Sequence, residues 1–248
     1  GGRRGARDGR RARRRAGGGE GRGRGAGGGG GERGGAGVAG GREKVLMLAQ
    51  ARVLERGVEA TGRVRVVLSR SRDVFVRLRR RIAVARGAGA DLFISLHADT
   101  IANPKVRGGS IYTLSERASD KEAAALAARE NKADMIAGVD LAGQNADVVN
   151  ILIDLAQRSA MNDSKSFAES LTGELSKTRR LLRRTHRCAG FAVLKSPDVP
   201  SVLIELGYLS NPVDERNLRR PRHRAQVAQA IVRAVDGYFS RRHAFNQP

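Results

Sequence analysis

Histidine and glutamate side chains stand at the predicted ends of three buried elements of this chain. His97 directly follows an apolar run, residues 92–96, that is typical of a buried strand. Glu205 ends a second such strand, which begins at Ser201, and Glu43 begins an amphipathic helix. Imidazole and carboxylate ligands with one coordination position left for water are the usual ligands of a catalytic zinc ion. Together the three residues predict a metal-dependent hydrolase.

Each of these residues has a simpler interpretation when it is taken singly. A histidine after a strand is more often a hydrogen-bonded surface residue, and Glu43 alone is a helix N-terminal acid that the helix dipole favours. Glu205 alone is a charge at a strand end. The hydrolase hypothesis therefore requires that all three side chains meet at one edge of a sheet.

The elements that must position these side chains alternate along the chain. Apolar periodicity predicts helices over residues 43–56, 75–85, 119–134, 148–158, 164–182 and 224–239, and strands over residues 63–69, 92–96, 108–114, 191–195 and 201–205. Gly57 is expected to end the first helix, Asp73 to cap the second and Ser119 to cap the third. This order favours an α/β fold, with a mostly parallel twisted sheet and helices on both of its faces.

Residues 1–42 differ in composition from the rest of the chain. They hold 20 of the 32 glycines and 12 arginines, against only three acidic residues. Such a segment buries too little apolar surface to offset its chain entropy, so it is predicted to be a disordered, low-complexity Gly/Arg-rich tail. A nucleic-acid-binding tail is less favoured, because no aromatic residue interleaves the arginines. A GC-rich gene read out of frame would also produce this composition.

Charge and cysteine content limit the partners of the chain. The net charge is +22, and both the tail and the remainder are basic. An anionic partner is therefore expected: an acidic cell-wall polymer, an anionic membrane surface or nucleic acid. Cys188 is the only cysteine, so no intrachain disulfide can form. No apolar run approaches the ~20 residues that span a bilayer, and no signal-peptide core is found.

Several sequence blocks, in order, resemble the zinc-dependent N-acetylmuramoyl-L-alanine amidases of bacterial cell-wall metabolism, in the branch that separates daughter cells. The blocks are Glu43-Lys44-Val45, Leu68 to Asp73 with Leu78 to Arg81, Ser95-Leu96-His97-Ala98-Asp99, Gly109 to Ser115, Glu130 to Asp134, and Pro200 to Asn211. The resemblance implies that Glu43 and His97 are zinc ligands and that Glu205 is the catalytic carboxylate. It also implies cleavage of the amide between N-acetylmuramic acid and L-alanine of peptidoglycan stem peptides, in the periplasm or another extracytoplasmic compartment.

The chain departs from this family at one expected zinc ligand. The family has a further histidine in a Gly-His-Gly-Gly-type loop upstream of the glutamate ligand, whereas residues 27–34 here read Gly-Gly-Gly-Gly-Gly-Glu-Arg-Gly. No histidine precedes His97, and nothing before Val45 is apolar enough for the first strand of the sheet. The chain is therefore predicted to bind zinc weakly, which places its activity in question, and to lack that strand.

Other side chains could complete the site. His186 lies just before a predicted strand, and His223 and His243 lie near the closing helix. For each of the three, a surface histidine among arginines is the favoured interpretation. Asp99 is equally consistent with a group that orients a metal ligand and with a solvated acid at a strand end.

The predicted catalytic domain, residues 43–241, contains a helical insertion at about residues 130–162. In relatives that cut septal wall, such an insertion covers the active site and is displaced by an activator protein. The resemblance therefore implies a lid, with Gln144 and Asp147 as its candidate residues, and an activator as partner. An ordinary packed helix is equally consistent with the apolar residues from Val148 onward.

Two other functions stay open beside the amidase. A non-catalytic wall-binding or regulatory relative would keep the cleft without a metal, and about one zinc per chain would favour the enzyme instead. A basic nucleic-acid-binding protein would show a steep salt dependence of DNA binding that is lost on removal of residues 1–42. Peptidoglycan is the expected partner, and nucleic acid is the less favoured one.

Overall fold

The described residues form one mixed sheet with helices on both of its faces. The computed structural model describes residues 14–18, 36–132 and 150–245, with side chains described for 36–132 and 156–242. The strands are β1 (Arg14–Gly18), β2 (Val64–Leu68), β3 (Phe93–His97), β4 (Gly109–Leu114), β5 (Leu181–Ala189) and β6 (Ser201–Glu205). The helices are α1 (Glu43–Glu59), α2 (Leu78–Gly87), α3 (Lys121–Asn131), α4 (Asn150–Ser176), α5 (Pro212–Arg219) and α6 (Pro221–Phe245), with a 3₁₀ turn at Ala192–Leu194.

The sheet has the strand order β2-β1-β3-β6-β4-β5. The first four strands are parallel to one another, whereas β4 runs antiparallel to β6 and pairs in parallel with β5. The predicted α/β fold with a mostly parallel sheet is therefore confirmed. In this arrangement β3 and β6 are neighbours, and their carboxyl ends meet at the same edge of the sheet.

Alternating side chains of the central strands supply two cores, one on each face of the sheet. On one face, Ile94 and Leu96 of β3 pack with apolar residues of α1, α4 and α6. On the other face, Phe93 of β3 and Leu203 of β6 pack with α2, α3 and the 3₁₀ turn. Strands buried on both faces are typical of a sheet layered with helices, because helical connections cover each side.

The prediction that no strand precedes Val45 is wrong. Strand β1 pairs in parallel with β2 along residues Arg14 to Gly18 and with β3 at Gly17 and Gly18. Ladder hydrogen bonds are made by the backbone, so a strand flanked on both sides by other strands can form without apolar side chains of its own. The remaining residues of the predicted tail before Ala36 lie outside the described residues.

Three predicted helix boundaries are also wrong, each for a local reason. Helix α1 continues past Gly57, where a Cβ atom would lie 3.1 Å from a methyl carbon of Val232; the glycine permits close packing rather than ending the helix. Asp73 caps no helix and instead pairs with Lys44 at 2.7 Å. Asp120, not Ser119, caps α3 by accepting a hydrogen bond from the N–H of Ala123.

Residues 150–194 differ from their prediction in three places. Residues 150–176 form one helix rather than two, and within it the hydroxyl of Ser164 donates to the carbonyl of Ala160 one turn earlier. Residues 181–189 form strand β5, and residues 192–194 form a 3₁₀ turn where a strand was predicted. In the part of the chain that the structure describes, no helix has the length and apolarity needed to cross a bilayer.

Candidate active site

The ends of β3 and β6 place the imidazole of His97 beside the carboxylate of Glu205. The two residues are direct partners in the β3–β6 register. His97 is 1% exposed and Glu205 is 0% exposed. The chain continues past both strand ends in close contact, because the N–H of Leu206 donates to the carbonyl of His97 at 2.8 Å. The pairing of two parallel strands thus brings together residues more than one hundred positions apart.

Glu43 reaches the same edge from the first residue of α1. Its Oε1 accepts a hydrogen bond from the N–H of Ala98 at 3.0 Å and lies 3.4 Å from Nδ1 of His97. The helix N-terminus favours the negative charge of this carboxylate, although the residue is buried. Glu43, His97 and Glu205 are therefore brought together as predicted, while their roles stay predictions.

A buried carboxylate on another helix fixes the approach to Glu43. Glu215 of α5 accepts hydrogen bonds from the N–H groups of Ala39 at 2.6 Å and Gly41 at 2.7 Å. Added Cβ atoms at Gly37 and Gly41 would lie 2.3 Å and 2.7 Å from Oε1 of Glu215, so a side chain at either position would displace this carboxylate. This interaction, the Glu215 clamp, holds the loop of residues 36–42 that leads into α1.

Two more acidic residues lie next to His97 and Glu205. Oε2 of Glu130, near the end of α3, lies 3.5 Å from Nδ1 of His97. Asp99 donates its N–H to Oε2 of Glu205 at 3.1 Å, and its carboxylate pairs with Arg129 at 2.5 Å. Asp99 is buried, so of its two interpretations the solvated strand-end acid is wrong.

Sequence reasoning gave no role to Glu130 or Glu215. A signal for Glu130 exists: a carboxylate in the last turn of a helix opposes the helix dipole, and burial adds a desolvation cost. Such a misplaced charge is a common mark of a functional position. Glu215 carries no comparable signal, because an acid in the first turn of α5 is what that helix prefers.

The surroundings of Glu205 favour the protonated form of its carboxyl group. Burial raises the pKa of Glu205 well above its ordinary value, and the nearby charges of Asp99, Glu43 and Glu130 raise it further. The hydrogen bond from Asp99 lowers it only in part. A raised pKa makes the carboxylate a stronger base, and its protonated form can return the proton to a leaving group, as general acid–base catalysis requires.

Glu43 and His97 fit two positions of a zinc site. Their 3.4 Å separation exceeds a normal hydrogen bond and matches the spacing of two ligand atoms, about 3.4 Å when each bond to zinc is about 2.1 Å. Oγ of Ser95 lies 2.9 Å from Nε2 of His97, so the second ring nitrogen has a partner that fixes the ring. Among the described residues, however, no three such side chains form a complete metal-binding group.

The other histidines lie elsewhere or outside the described side chains. Nε2 of His186 bonds Oγ1 of Thr113 at 3.0 Å, and burial lowers the pKa of its imidazole. Burial also lowers the pKa of His223, which lies near Arg179 and Asp214. The His243 side chain and the candidate lid residues Gln144 and Asp147 lie outside what the structure describes.

Residues 25–237 match the family described as N-acetylmuramoyl-L-alanine amidase (Amidase_3). The chain is 36% identical over 200 residues to the N-acetylmuramoyl-L-alanine amidase AmiC of Escherichia coli O6:H1, a match that covers 80% of this chain and 48% of that protein. It is 37% identical over 207 residues to AmiA of Escherichia coli K12, covering 83% and 71%. The chain thus spans about half the length of the AmiC relative.

Solved structures share the fold at low sequence identity. An N-acetylmuramoyl-L-alanine amidase from Clostridium difficile 630 superposes with a TM-score of 0.64 at 19% identity, covering 92% of this chain and 97% of that one. The CwlD amidase from Clostridioides difficile, in complex with the GerS lipoprotein, gives 0.61 at 20% identity, with coverage of 92% and 98%. At these identities the likeness concerns the fold alone.

Proposed function

Because this chain belongs to the N-acetylmuramoyl-L-alanine amidase family, we propose that it hydrolyses the amide between N-acetylmuramic acid and the L-alanine of peptidoglycan stem peptides. The observation that carries the proposal is the position of Glu205. Its carboxyl group is fully buried at the end of β6, beside His97 and Glu43, with a raised pKa. Relatives that bear the amidase name support the choice of substrate.

Glu205 carries the proton transfers of the proposed reaction. Its carboxylate would take a proton from the attacking water as the oxygen bonds to the lactyl carbonyl carbon. The same group would then give a proton to the alanine nitrogen as the C–N bond breaks, so the products are a lactyl carboxylate and a free amine. The N–H of Asp99 orients Oε2 through its 3.1 Å hydrogen bond.

Zinc dependence forms part of this proposal. Glu43 and His97 are the described side chains that would hold the ion, and a bound zinc supplies Lewis-acid activation of the amide carbonyl and of water. Ser95 and the N–H of Ala98 would keep the two ligands oriented. Since the described residues offer two ligands rather than three, we expect zinc binding to be weaker than at a three-ligand site.

A role in daughter-cell separation, an extracytoplasmic location and control by an activator protein complete the proposal. The identity to AmiA and AmiC supports this branch of the family. The CwlD–GerS complex shows a protein partner bound to a chain of the same fold. If an activator controls this chain, adding it should increase the release of stem peptides from septal wall preparations.

Substitution of Glu205 tests the catalytic assignment. Glu205→Gln should keep the fold and lower the release of stem peptides from purified peptidoglycan by about 10²-fold or more, because an amide side chain cannot transfer the proton as a carboxylate does. Released peptides are quantified by mass spectrometry with zinc added. The control is Glu59→Gln at the exposed end of α1, which should behave as the wild type. Wild-type protein that releases no peptide would refute the proposed function, and an active Glu205→Gln variant would refute this role.

Thermal melting tests the zinc ligands without any turnover. Zinc that binds only the folded state should raise the melting temperature of the metal-depleted protein in proportion to the logarithm of its concentration. His97→Ala should abolish most of this rise. His223 is half-buried and lies near Arg179, so the control variant His223→Ala should keep the rise. Equal zinc-dependent rises in wild type and His97→Ala would remove His97 from the ligand set.

A further inference from the structure

A cavity of about 820 Å³ lies between the beginning of α3 and strand β5. Its lining includes Tyr112 of β4, Tyr208 after β6 and Arg129 of α3. Arg129 pairs with Asp99, whose N–H donates to Glu205, so one wall of the cavity connects directly to the candidate active site. The cavity volume lies within the range of about 300–1,000 Å³ that is usual for ligand sites.

Two tyrosines of the cavity lining lie near Glu205. Burial raises the pKa of Tyr208, and the nearby Tyr112 and the charge of Glu205 act in the same direction. Ser110, which hydrogen-bonds the hydroxyl of Tyr112 at 3.3 Å, is the direct partner of Glu205 in the β4–β6 register. Tyr112, in the cavity lining, is thus two residues from the β4 position that pairs with Glu205, so the cavity lies close to the carboxylate proposed to act on the scissile amide.

An irregularity in β5 turns arginine side chains toward the cavity. Leu181 pairs with Gly109 and His186 with Ile111, so four residues of β5 lie opposite a single residue of β4. The excess contains Arg183 and Arg184, both exposed and both lining the cavity. Bulges of this kind next to active sites commonly redirect side chains, and here the strand continues with Arg187 in the lining.

The charge of the cavity lining favours a carboxylate-bearing ligand. Four arginines, Arg129, Arg183, Arg184 and Arg187, line it together with only two acids, Asp120 and Glu122. Arg187 lies 3.6 Å from Asp120, and Arg129 is paired with Asp99. Within the described part of the chain, Arg183 and Arg184 form no ion pair, so their guanidinium groups can bind carboxylates in bidentate geometry.

We propose that this arginine pocket, the cavity lined by Arg129, Arg183, Arg184 and Arg187, binds the free carboxylates of an acidic peptide that extends from the scissile bond. The inference rests on the proposed function, because a peptidoglycan stem peptide is such a ligand and is attached to the amide that Glu205 would act on. Asp120 and Glu122 in the same lining disfavour a polyphosphate chain, which would bring a continuous run of negative charge past them.

A binding experiment without turnover tests the pocket. The ligand is a fluorescently labelled synthetic stem peptide with free carboxylates, which contains no scissile bond, and the protein is the full chain. Replacing both Arg183 and Arg184 by Ala should raise the dissociation constant, measured by fluorescence anisotropy, by about tenfold. This is the loss of affinity expected when charge-assisted hydrogen bonds are removed. The same peptide with amidated carboxylates should bind weakly to both proteins, with no difference between them.

A charge-matched variant separates the pocket from the overall basic charge. Replacing Arg79 and Arg80 of α2, which are exposed and outside the cavity lining, also removes two positive charges. This control should bind the peptide as the wild type does. Replacing Arg183 and Arg184 by Lys should recover part of the affinity, and all variants are compared only at melting temperatures near that of the wild type.

Each remaining outcome decides against the proposal. Equal losses in the two double-alanine variants would show that bulk charge alone matters. Equal binding of free and amidated peptides, or no measurable peptide binding, would remove the carboxylate site, and stronger competition by a DNA oligonucleotide than by unlabelled peptide would assign the arginines to nucleic acid. Arginine-dependent peptide binding in a protein that releases no stem peptide would leave the pocket standing while the amidase function fails.

Discussion

Glu205 and Glu215 are both completely buried glutamates, but their surroundings are opposite. Glu215 accepts two short hydrogen bonds, from the N–H groups of Ala39 and Gly41. From the described residues Glu205 accepts one, from Asp99, and three neighbouring carboxylates raise its pKa beyond the effect of burial. The first glutamate is supplied with donors, and the second is surrounded by groups that oppose its charge.

This difference separates a structural carboxylate from a chemical one. A buried carboxylate whose oxygens are matched by N–H donors stabilises the fold, and these hydrogen bonds favour its charged form over the protonated one. A buried carboxylate among other acids costs stability, and proteins keep such groups mainly at functional sites. Burial alone would not distinguish Glu205 from Glu215, whereas the donors and charges around each one do.

The largest stability effect is expected at the Glu215 clamp. Glu215→Ala leaves two N–H groups of the loop of residues 36–42 without their acceptor, and the free energy of unfolding should fall by roughly 3 kcal/mol. Urea denaturation measures the loss, and hydrogen exchange at Gly41 should accelerate. Glu215→Gln keeps one acceptor oxygen and should lose less. A loss well under 1 kcal/mol in the alanine variant would show that the clamp contributes little.

The matched change at Glu205 should act in the opposite direction. In metal-depleted protein, Glu205→Gln removes a carboxyl group whose ionisation burial and the neighbouring acids oppose, and it keeps an oxygen for the N–H of Asp99. The free energy of unfolding should rise, by about 1 kcal/mol, while stem-peptide release is lost. If both glutamine variants lost the same stability, the contrast between the two carboxylates would fail.

The side of the site built on strand ends could be predicted from the sequence. His97 and Glu205 each end an apolar run, and the parallel pairing of neighbouring strands is enough to bring such residues together. The prediction that Glu43 begins a helix is also confirmed, because a helix N-terminus has a recognisable sequence pattern. In these places local periodicity determines both the element and the position at which it ends.

The side of the site built on long-range contacts could not be predicted in this way. Strand β1 is held by backbone pairing with β2 and β3, which leaves no apolar pattern in Arg14–Gly18. The Glu215 clamp joins residues more than 170 positions apart through backbone N–H groups, which every residue except proline has. The bulge that presents Arg183 and Arg184 depends on the register with β4, and the arginine-rich run alone suggested only a basic surface.

Asp120 resembles Glu215 in that an N–H donor matches its carboxylate, but it is only partly buried. The expected effect of replacing it is therefore the smallest of the three. It caps α3 through the N–H of Ala123, and Arg187 lies 3.6 Å away. Asp120→Ala should therefore lower the free energy of unfolding by about 1 kcal/mol at pH 7. Asp120→Asn keeps a side-chain oxygen for the cap and should lose only a few tenths of that.

The pH dependence of the Asp120→Ala effect follows from the charge of the cap. Partial burial raises the pKa of Asp120, but the Ala123 hydrogen bond and the charge of Arg187 outweigh it, so the pKa lies below its ordinary value of 3.8. A carboxyl group with a lowered pKa in the folded state adds stability above the unfolded value, and this contribution disappears as the pH falls through the folded value. The difference between wild type and Asp120→Ala, measured by urea denaturation, should thus be constant from pH 7 to about 5 and shrink below about 3.8. A difference that grows on acidification would mean that Asp120 is not stabilised as an anion. Stabilisation of a carboxylate by matching N–H donors would then be limited to fully buried groups such as Glu215.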